Sequence, residues 1–233
     1  MTDTPAPYGT PEHPRVAVRG EARIEVDPET ARIGITVSAR GKDRRTALDD
    51  LTRRNNTVLE LVRTYGPAVE KLETGTLSIT PELTTRSRDE KIRAYHGRVH
   101  ITAVLNDFTA LGELTTRIAD LDMTHVNGPW WSLRPDSPAH AAARRHAVHE
   151  AVQRAREYAE ALGSHLTALV ELADLGAENT TPALPMPPAP GGLRSAAGYG
   201  AAPDTAPALD LEPQRQTVYA QVNARFNMAP PKL

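Results

Sequence analysis

The feature that most constrains this chain is the residue-by-residue alternation of small or apolar residues with polar ones. In residues 15–26, RVAVRGEARIEV, the even positions are small or apolar and five of the six odd positions are charged. Successive side chains of a strand point to opposite faces, so this pattern predicts a β-strand with one face toward a core and one toward water. Residues 30–40 and 216–228 alternate in the same way.

The four residues between the first two alternating stretches, DPET at 27–30, suit a tight turn. Asp and Pro occupy its first two positions, as in a type I turn. A hairpin is therefore predicted, in which Val26 pairs with Ala31 and Ile24 with Ile33. The charged face of the first strand is then open to solvent, a lumen or a subunit seam, and the sequence leaves these three alternatives open.

Three stretches have helical spacing, with apolar residues three or four positions apart. The first covers 43–65, the second 107–121, and the third begins at Ser137 and ends at Gly163. Asp43, Asp107 and Ser137 are typical N-cap residues. The predicted apolar stripe of the third, alanine-rich helix comprises Ala143, Ala147, Val148, Ala151, Ala155, Tyr158, Ala159 and Leu162.

Further extended segments are predicted at 69–84, 91–105, 124–134 and 166–175. The order of strands and helices indicates an α+β fold, in which antiparallel sheet packs against helices that include one long Ala-rich helix.

Composition suggests how the chain is divided. Residues 1–14 are predicted to form a disordered tail, 15–228 a single domain and 229–233 a C-terminal tail. Within the domain, residues 177–213 contain eight prolines and only five charged residues, which predicts a long Pro/Gly-rich loop.

The order of the motifs resembles that of the SIMPL-domain family, formerly a domain of unknown function. The matching segments, which span residues 15–228, are VAVRGEARIEVDPETARIGITV, TGTLSITPEL, AYHGRVHITAVLNDFTALGEL, AARRHAVHEAVQRAREYAEALG and VYAQVNARFNM. The family includes bacterial periplasmic proteins and a mammalian kinase-associated signalling protein.

This resemblance implies helices packed on antiparallel sheet and assembly into large homo-oligomeric rings or barrels, as in a bacterial relative. It also implies a link to stress protection or, in mammals, to signalling through a kinase. No catalytic residues are established for the family, so none is transferred here.

Composition sets further expectations about partners and location. Twenty-seven basic against 29 acidic residues, with few aromatics, argue against nucleic acid as a partner. There is no cysteine, and no apolar run approaches the roughly 20 residues of a membrane helix. The first residues, MTDTPAPYGTPEHP, lack the basic start and apolar run of a signal peptide, so a cytoplasmic location is expected.

Trp130 and Trp131 are the candidate contact residues. Neighbours on a strand face opposite ways, so one ring belongs to the core and the other is outward. The outward ring is a candidate subunit or partner contact, and a partly covered surface aromatic is an equally good interpretation.

Two histidine pairs have spacings that could contribute ligands to a metal ion. His146 and His149 are three residues apart on the third helix with Glu150 beside them, and His96 and His100 share one strand face. Neither pair has a third ligand in a recognisable motif, so no metal or other cofactor is predicted.

The sequence therefore predicts a non-enzymatic, cytoplasmic, homo-oligomeric protein with a scaffold or stress-associated role. The alternative is an adaptor that binds a protein partner, such as a kinase, through residues 177–213. An unrecognised enzyme or metal protein is the third class considered.

Overall fold

A computed structural model describes residues 9–83, 92–177 and 209–232. The strands form two antiparallel sheets and three α-helices pack on them, which confirms the predicted α+β class. The elements are β1 (Arg15–Val26), β2 (Thr30–Gly41), α1 (Arg44–Arg63), a 3₁₀ turn (Gly66–Ala68), β3 (Val69–Leu83), β4 (Ile92–Leu105), α2 (Phe108–Ala119), β5 (Thr124–Ser132), α3 (Pro138–Ala161), β6 (Leu166–Asp174) and β7 (Gln216–Met228).

The described residues divide into two compact units. The first unit holds a three-stranded sheet in the order β1-β7-β6 together with α3. The second unit holds a four-stranded sheet in the order β3-β4-β2-β5 together with α1 and α2. Residues 1–8 of the predicted tail and 178–208 of the predicted loop lie outside the described residues, and the predicted domain bounds stay predictions.

The predicted hairpin between β1 and β2 is wrong. The strands themselves are where the alternation places them, but β1 belongs to the first sheet and β2 to the second. Ile33 pairs with Ala103 of β4, and Ala31 lies between Leu105 and Trp131. Alternation fixes which face of a strand is apolar, whereas it leaves the pairing partner undetermined. The DPET segment therefore carries the chain from one sheet to the other.

In the first unit, α3 packs mainly on β1 and hardly reaches β6. The helix and the strand approach so closely that a Cβ atom on Gly20 would lie 2.0 Å from the carbonyl oxygen of Ala147. Only small side chains fit at this distance, and the buried residues of α3 are an alanine at every fourth position. Tyr158 and Leu162, predicted to belong to the apolar stripe, are exposed because they lie beside this line of alanines.

In the second unit, the inner face of the four-stranded sheet packs against α1 and α2. The fully buried side chains include Ile33, Ile35 and Ile101 from the sheet, with Leu51 and Leu111 from the helices. The predicted N-caps are confirmed, since the carboxylates of Asp43 and Asp107 accept hydrogen bonds from backbone N–H groups in the first turns of α1 and α2.

The segment 209–213, the last part of the predicted loop, lies against the second unit. Leu211 packs on the core, and the N–H of Leu209 donates to Thr116 Oγ1 at 3.2 Å. Within the described part of the chain, no helix has both the length and the apolar character needed to cross a bilayer.

Candidate functional site

The two edge strands of the three-stranded sheet, β1 and β6, differ in how far other parts of the chain cover them. At β1, the carboxylate of Glu150 on α3 accepts a hydrogen bond from the backbone N–H of Glu21 at 3.0 Å. Arg154, one turn further along α3, holds Glu150 in an ion pair. The helix therefore occupies part of the β1 edge, where an unpaired strand would otherwise offer its N–H groups to another chain.

At β6, the opposite edge, apolar side chains are uncovered. Leu169 lies opposite Phe226 and Leu172 opposite Ala224, so both leucines are on the sheet face that carries the core. Because α3 lies over β1, it leaves them 55% and 47% exposed. Leu169 and Leu172 are called the β6 strip from here on.

A groove runs between α3 and β6 beside this strip. It encloses about 380 Å³, with Val152, Leu166 and Phe226 supplying apolar surface. Charged and polar groups on its rim include Arg156 and Glu160. An apolar floor with a charged rim is the anatomy of a protein-binding surface.

The register of β6 shifts twice against β7, between Leu166 and Ala168 and again between Leu169 and Glu171. Such bulges twist an edge strand and hinder the addition of a continuous strand. At this edge the exposed leucine side chains are therefore better placed than the backbone to contact another chain. Sequence reasoning missed this surface, although the LTALVELAD segment carried a signal, because its apolar residues do not alternate as those of a regular strand do.

The two tryptophans of β5 face opposite ways, as predicted. Trp131 packs against the core of the second unit and meets Phe108 edge to face, with ring centroids 4.8 Å apart. Trp130 is 46% exposed on the other face of the sheet, where the Arg32 guanidinium lies 4.9 Å from its ring centroid. Its role as a subunit or partner contact stays a prediction.

Gly34 makes room for the rings around Trp130. A Cβ atom at this position would lie 2.9 Å from Cε1 of His100 and 3.5 Å from Cη2 of Trp130. The two rings thus reach the glycine from neighbouring strands, β4 and β5. His100 also lies 3.4 Å, through Nδ1, from the hydroxyl of Thr36.

A second polar cluster on this sheet centres on Glu82 of β3. Its Oε2 lies 2.7 Å from Nε2 of His96 and 2.8 Å from a guanidinium nitrogen of Arg40. The His96 ring, and after it the Arg40 guanidinium, hold the pKa of Glu82 below its usual value. The cluster is a surface ion-pair network that links β2, β3 and β4.

The four candidate metal-binding histidines have different surroundings. His96 is bound to Glu82, His100 is placed over Gly34, and His146 and His149 are exposed on α3. No three His, Asp or Glu side chains within 9–83, 92–177 and 209–232 are grouped to hold a metal. The expectation of no cofactor stays a prediction.

Comparison with known proteins identifies a matching family and corrects the predicted cellular location. A sequence model of the SIMPL family, described as proteins of unknown function (DUF541), matches residues 16–226. Two relatives, from Brucella melitensis biotype 1 and Brucella abortus strain S19, are each named "26 kDa periplasmic immunogenic protein". Each is 26% identical over 202 residues, which is 84% of this chain and 78% of the relative.

The predicted cytoplasmic location is contradicted by these relatives, whose names place them in the periplasm. That prediction relied on the polar residues at the start of the sequence, which are no evidence about where the folded protein resides.

One solved structure is also similar, a crystal structure of a Burkholderia cenocepacia protein provisionally described as an amidohydrolase or peptidase. It is 20% identical, with a TM-score of 0.23, and the match covers 57% of this chain and 33% of that one. At this score the similarity carries no argument about fold or activity.

Proposed function

This chain belongs to the SIMPL family, and from that premise we propose that it is a non-enzymatic periplasmic protein that assembles with copies of itself and has a stress-associated role. The observation that carries the proposal is the β6 strip, which is apolar and exposed at one edge of the three-stranded sheet. The other edge strand, β1, is partly covered by α3.

The proposed first contact joins the β6 strip of one copy to that of a second. Full burial of a leucine side chain stabilises by roughly 1.5–3 kcal/mol relative to full exposure. Each copy supplies two half-exposed leucines, so the four leucines of two copies contribute appreciably to association. A strip that packs on itself forms a two-fold contact, in which each copy uses the same residues. Because the bulges of β6 hinder backbone pairing between copies, the proposed contact is made by side chains.

A second contact is needed for an assembly larger than a dimer, because one two-fold contact closes after two copies. Trp130 is the proposed centre of this contact. It is exposed in the second unit, and tryptophan and arginine are enriched among the residues that dominate binding energy in interfaces.

The proposal includes no reaction. The clusters around Glu82 and Trp130 lie on an open sheet face, and the carboxylate of Glu82 forms an ion pair with Arg40 and a hydrogen bond with His96. These contacts link neighbouring strands, and the residues of the two clusters do not pair a nucleophile with a general base.

The periplasmic location is proposed because both Brucella relatives carry that location in their names. Osmotic-shock fractionation of the native host tests it. The protein is expected in the shock fluid with periplasmic markers, and its retention with cytoplasmic markers would refute this part of the proposal.

Light scattering across a wide concentration range tests the assembly. The chain is expected to have a mass at least twice the 25.3 kDa of a monomer at micromolar concentration. Leu172→Glu places a charge in the β6 strip and is expected to lower that mass, whereas Leu77→Glu, on the exposed surface of β3, is the matched control. A monomer at every concentration would refute the proposal and favour the adaptor that binds a partner through residues 177–213.

A further inference from the structure

The charged face of β1 forms part of a basin on the outer surface of the three-stranded sheet. Nε of Arg19 donates to Oδ1 of Asn223 at 3.2 Å, and the guanidinium of Arg23 lies 5.9 Å from the ring centroid of Tyr219. Residue numbers therefore rise along β1 as they fall along β7, so the strands are antiparallel. This register places Ala17 opposite Arg225.

Ala17 is the one uncharged residue among the six that form the outer face of β1. Its methyl group leaves a depression of about 530 Å³, which is lined by Ala17, Arg19, Asn223 and Arg225 together with Val18 and Ala224. Both Ala17 and Arg19 are exposed, so a solute reaches the depression directly. This depression is called the Ala17 basin.

Positive charges outnumber negative charges around the Ala17 basin. Arg225 forms an ion pair with Glu171 of β6. Among the described residues, Arg15 and Arg19 have no carboxylate partner. Arg15, Arg19 and Arg225 therefore bring three positive charges to this end of the sheet face, and Arg225 alone is paired with a carboxylate, that of Glu171.

The other end of β1 is different. Arg23 is paired with Glu25 at 3.1 Å, and Glu21 adds a further negative charge. The positive character of the strand face is therefore confined to the end that contains the basin. The chain as a whole carries a net charge of −2, so this positive end is a local feature.

We propose that the Ala17 basin binds a phosphate group. Guanidinium groups donate paired N–H bonds whose geometry matches phosphate oxygens, and a tetrahedral anion accepts such bonds from several sides at once. Arg19 and Arg225 line the basin from two strands, and Arg15 precedes Ala17 by two residues on the same face. The phosphate belongs either to a small soluble molecule or to a phospholipid headgroup, and it binds through the same contacts in both.

The site is independent of the proposed self-assembly. It is built from the outer face of the sheet, whereas the β6 strip lies on the face that carries the core. Failure of one proposal therefore leaves the other standing.

Titration calorimetry of the full chain with inorganic pyrophosphate at low ionic strength tests the site. Saturable binding is expected, and it weakens as salt is added. Arg19→Gln is expected to lower the affinity about tenfold, the effect of removing one charge-assisted hydrogen bond, and Arg19→Lys to restore part of it. Ala17→Glu is expected to abolish binding, because it fills the basin and adds a negative charge.

Arg23→Gln is the matched control, since it removes one arginine from the same face of the same strand outside the basin. Equal losses in Arg23→Gln and Arg19→Gln would overturn the proposal, as would the absence of pyrophosphate binding to the unmodified chain. Thermal unfolding of each variant establishes that it is folded.

Co-sedimentation with phosphatidylglycerol vesicles, compared with phosphatidylcholine vesicles, distinguishes the two sources of phosphate. Vesicle binding that Ala17→Glu abolishes supports a headgroup as ligand, and pyrophosphate binding without vesicle binding supports a small soluble ligand. Vesicle binding that persists in Ala17→Glu would overturn the basin as the site.

Discussion

Ile33 and Arg32 are neighbours on β2 with opposite surroundings. Ile33 is fully buried in the core of the second unit, whereas Arg32 is exposed and lies over the ring of Trp130. We expect Ile33→Asp to lower the free energy of unfolding by more than about 3 kcal/mol, because it buries a charge without a partner. Arg32→Ala is expected to cost about 1 kcal/mol or less. Equal losses in a denaturant titration would show that the two faces are misassigned.

Asp50 on α1 gives a pH-dependent contribution to stability. The Arg54 guanidinium, and after it that of Arg53, hold the pKa of Asp50 below its usual value, although partial burial acts in the opposite direction. A carboxylate whose pKa is lower in the folded state stabilises the protein above its unfolded pKa, and this contribution is lost as the pH falls. The pair is partly exposed, so the effect is expected to be about 1 kcal/mol or less.

The measurement is the free energy of unfolding between pH 7 and pH 3. Asp50→Asn is expected to lower stability at pH 7 and to make it less dependent on pH in the acid range. Asp49→Asn is the control, because Asp49 is exposed on the same helix and has no ion pair among the described residues. Parallel pH profiles for the unmodified chain and Asp50→Asn would contradict this account.

At the scale of single elements, the contact between α3 and β1 depends on the absence of a side chain at Gly20. A Cβ atom there would lie 2.0 Å from the Ala147 carbonyl oxygen and 2.7 Å from Ala151 Cβ. Gly20→Ala is expected to lower the free energy of unfolding by about 2 kcal/mol or more, since helix backbone must move to accommodate it.

Gly75→Ala is the control for this substitution, because Gly75 is also a strand glycine and its added Cβ would lie 3.6 Å from the carbonyl oxygen of His100, an ordinary van der Waals contact. Comparison of the two variants by thermal unfolding separates the clash from the general effect of replacing glycine. Equal stability of the two variants would mean that α3 and β1 are further apart than described.

The elements were predictable from the sequence because their signals are local. Asp43 and Asp107 cap the helices that follow them, and the alternation of 15–26 and 216–228 gives the strands their buried faces. The hairpin failed because strand pairing depends on residues far apart in the chain. The apolar residues of β6 that do not alternate indicate an irregular strand, but the exposure of Leu169 and Leu172 also depends on where α3 lies, which the β6 sequence does not report.

At the scale of the whole molecule, two compact units share one chain that passes between them several times. The first unit combines β1 with α3, β6 and β7, although residues 27–134 of the second unit lie between β1 and α3 in sequence, and a further segment of the second unit lies between β6 and β7. No local pattern reports such an arrangement, and the predicted domain from 15 to 228 stays a prediction. The resemblance to the SIMPL family was visible because it rests on the order of motifs along the chain, and the family match over 16–226 confirms it.

The central claim is that two copies meet through the β6 strip, and cysteine cross-linking tests it directly. The chain has no cysteine, so a single introduced thiol reports only its own position. Leu169→Cys lies in the strip, and Leu77→Cys on β3 is a control of comparable exposure, since the two leucines are 55% and 56% exposed. Under mild oxidation, Leu169→Cys is expected to form a disulfide-linked dimer in high yield and Leu77→Cys little. Equal yields from the two variants, or no dimer from Leu169→Cys, would contradict the claim.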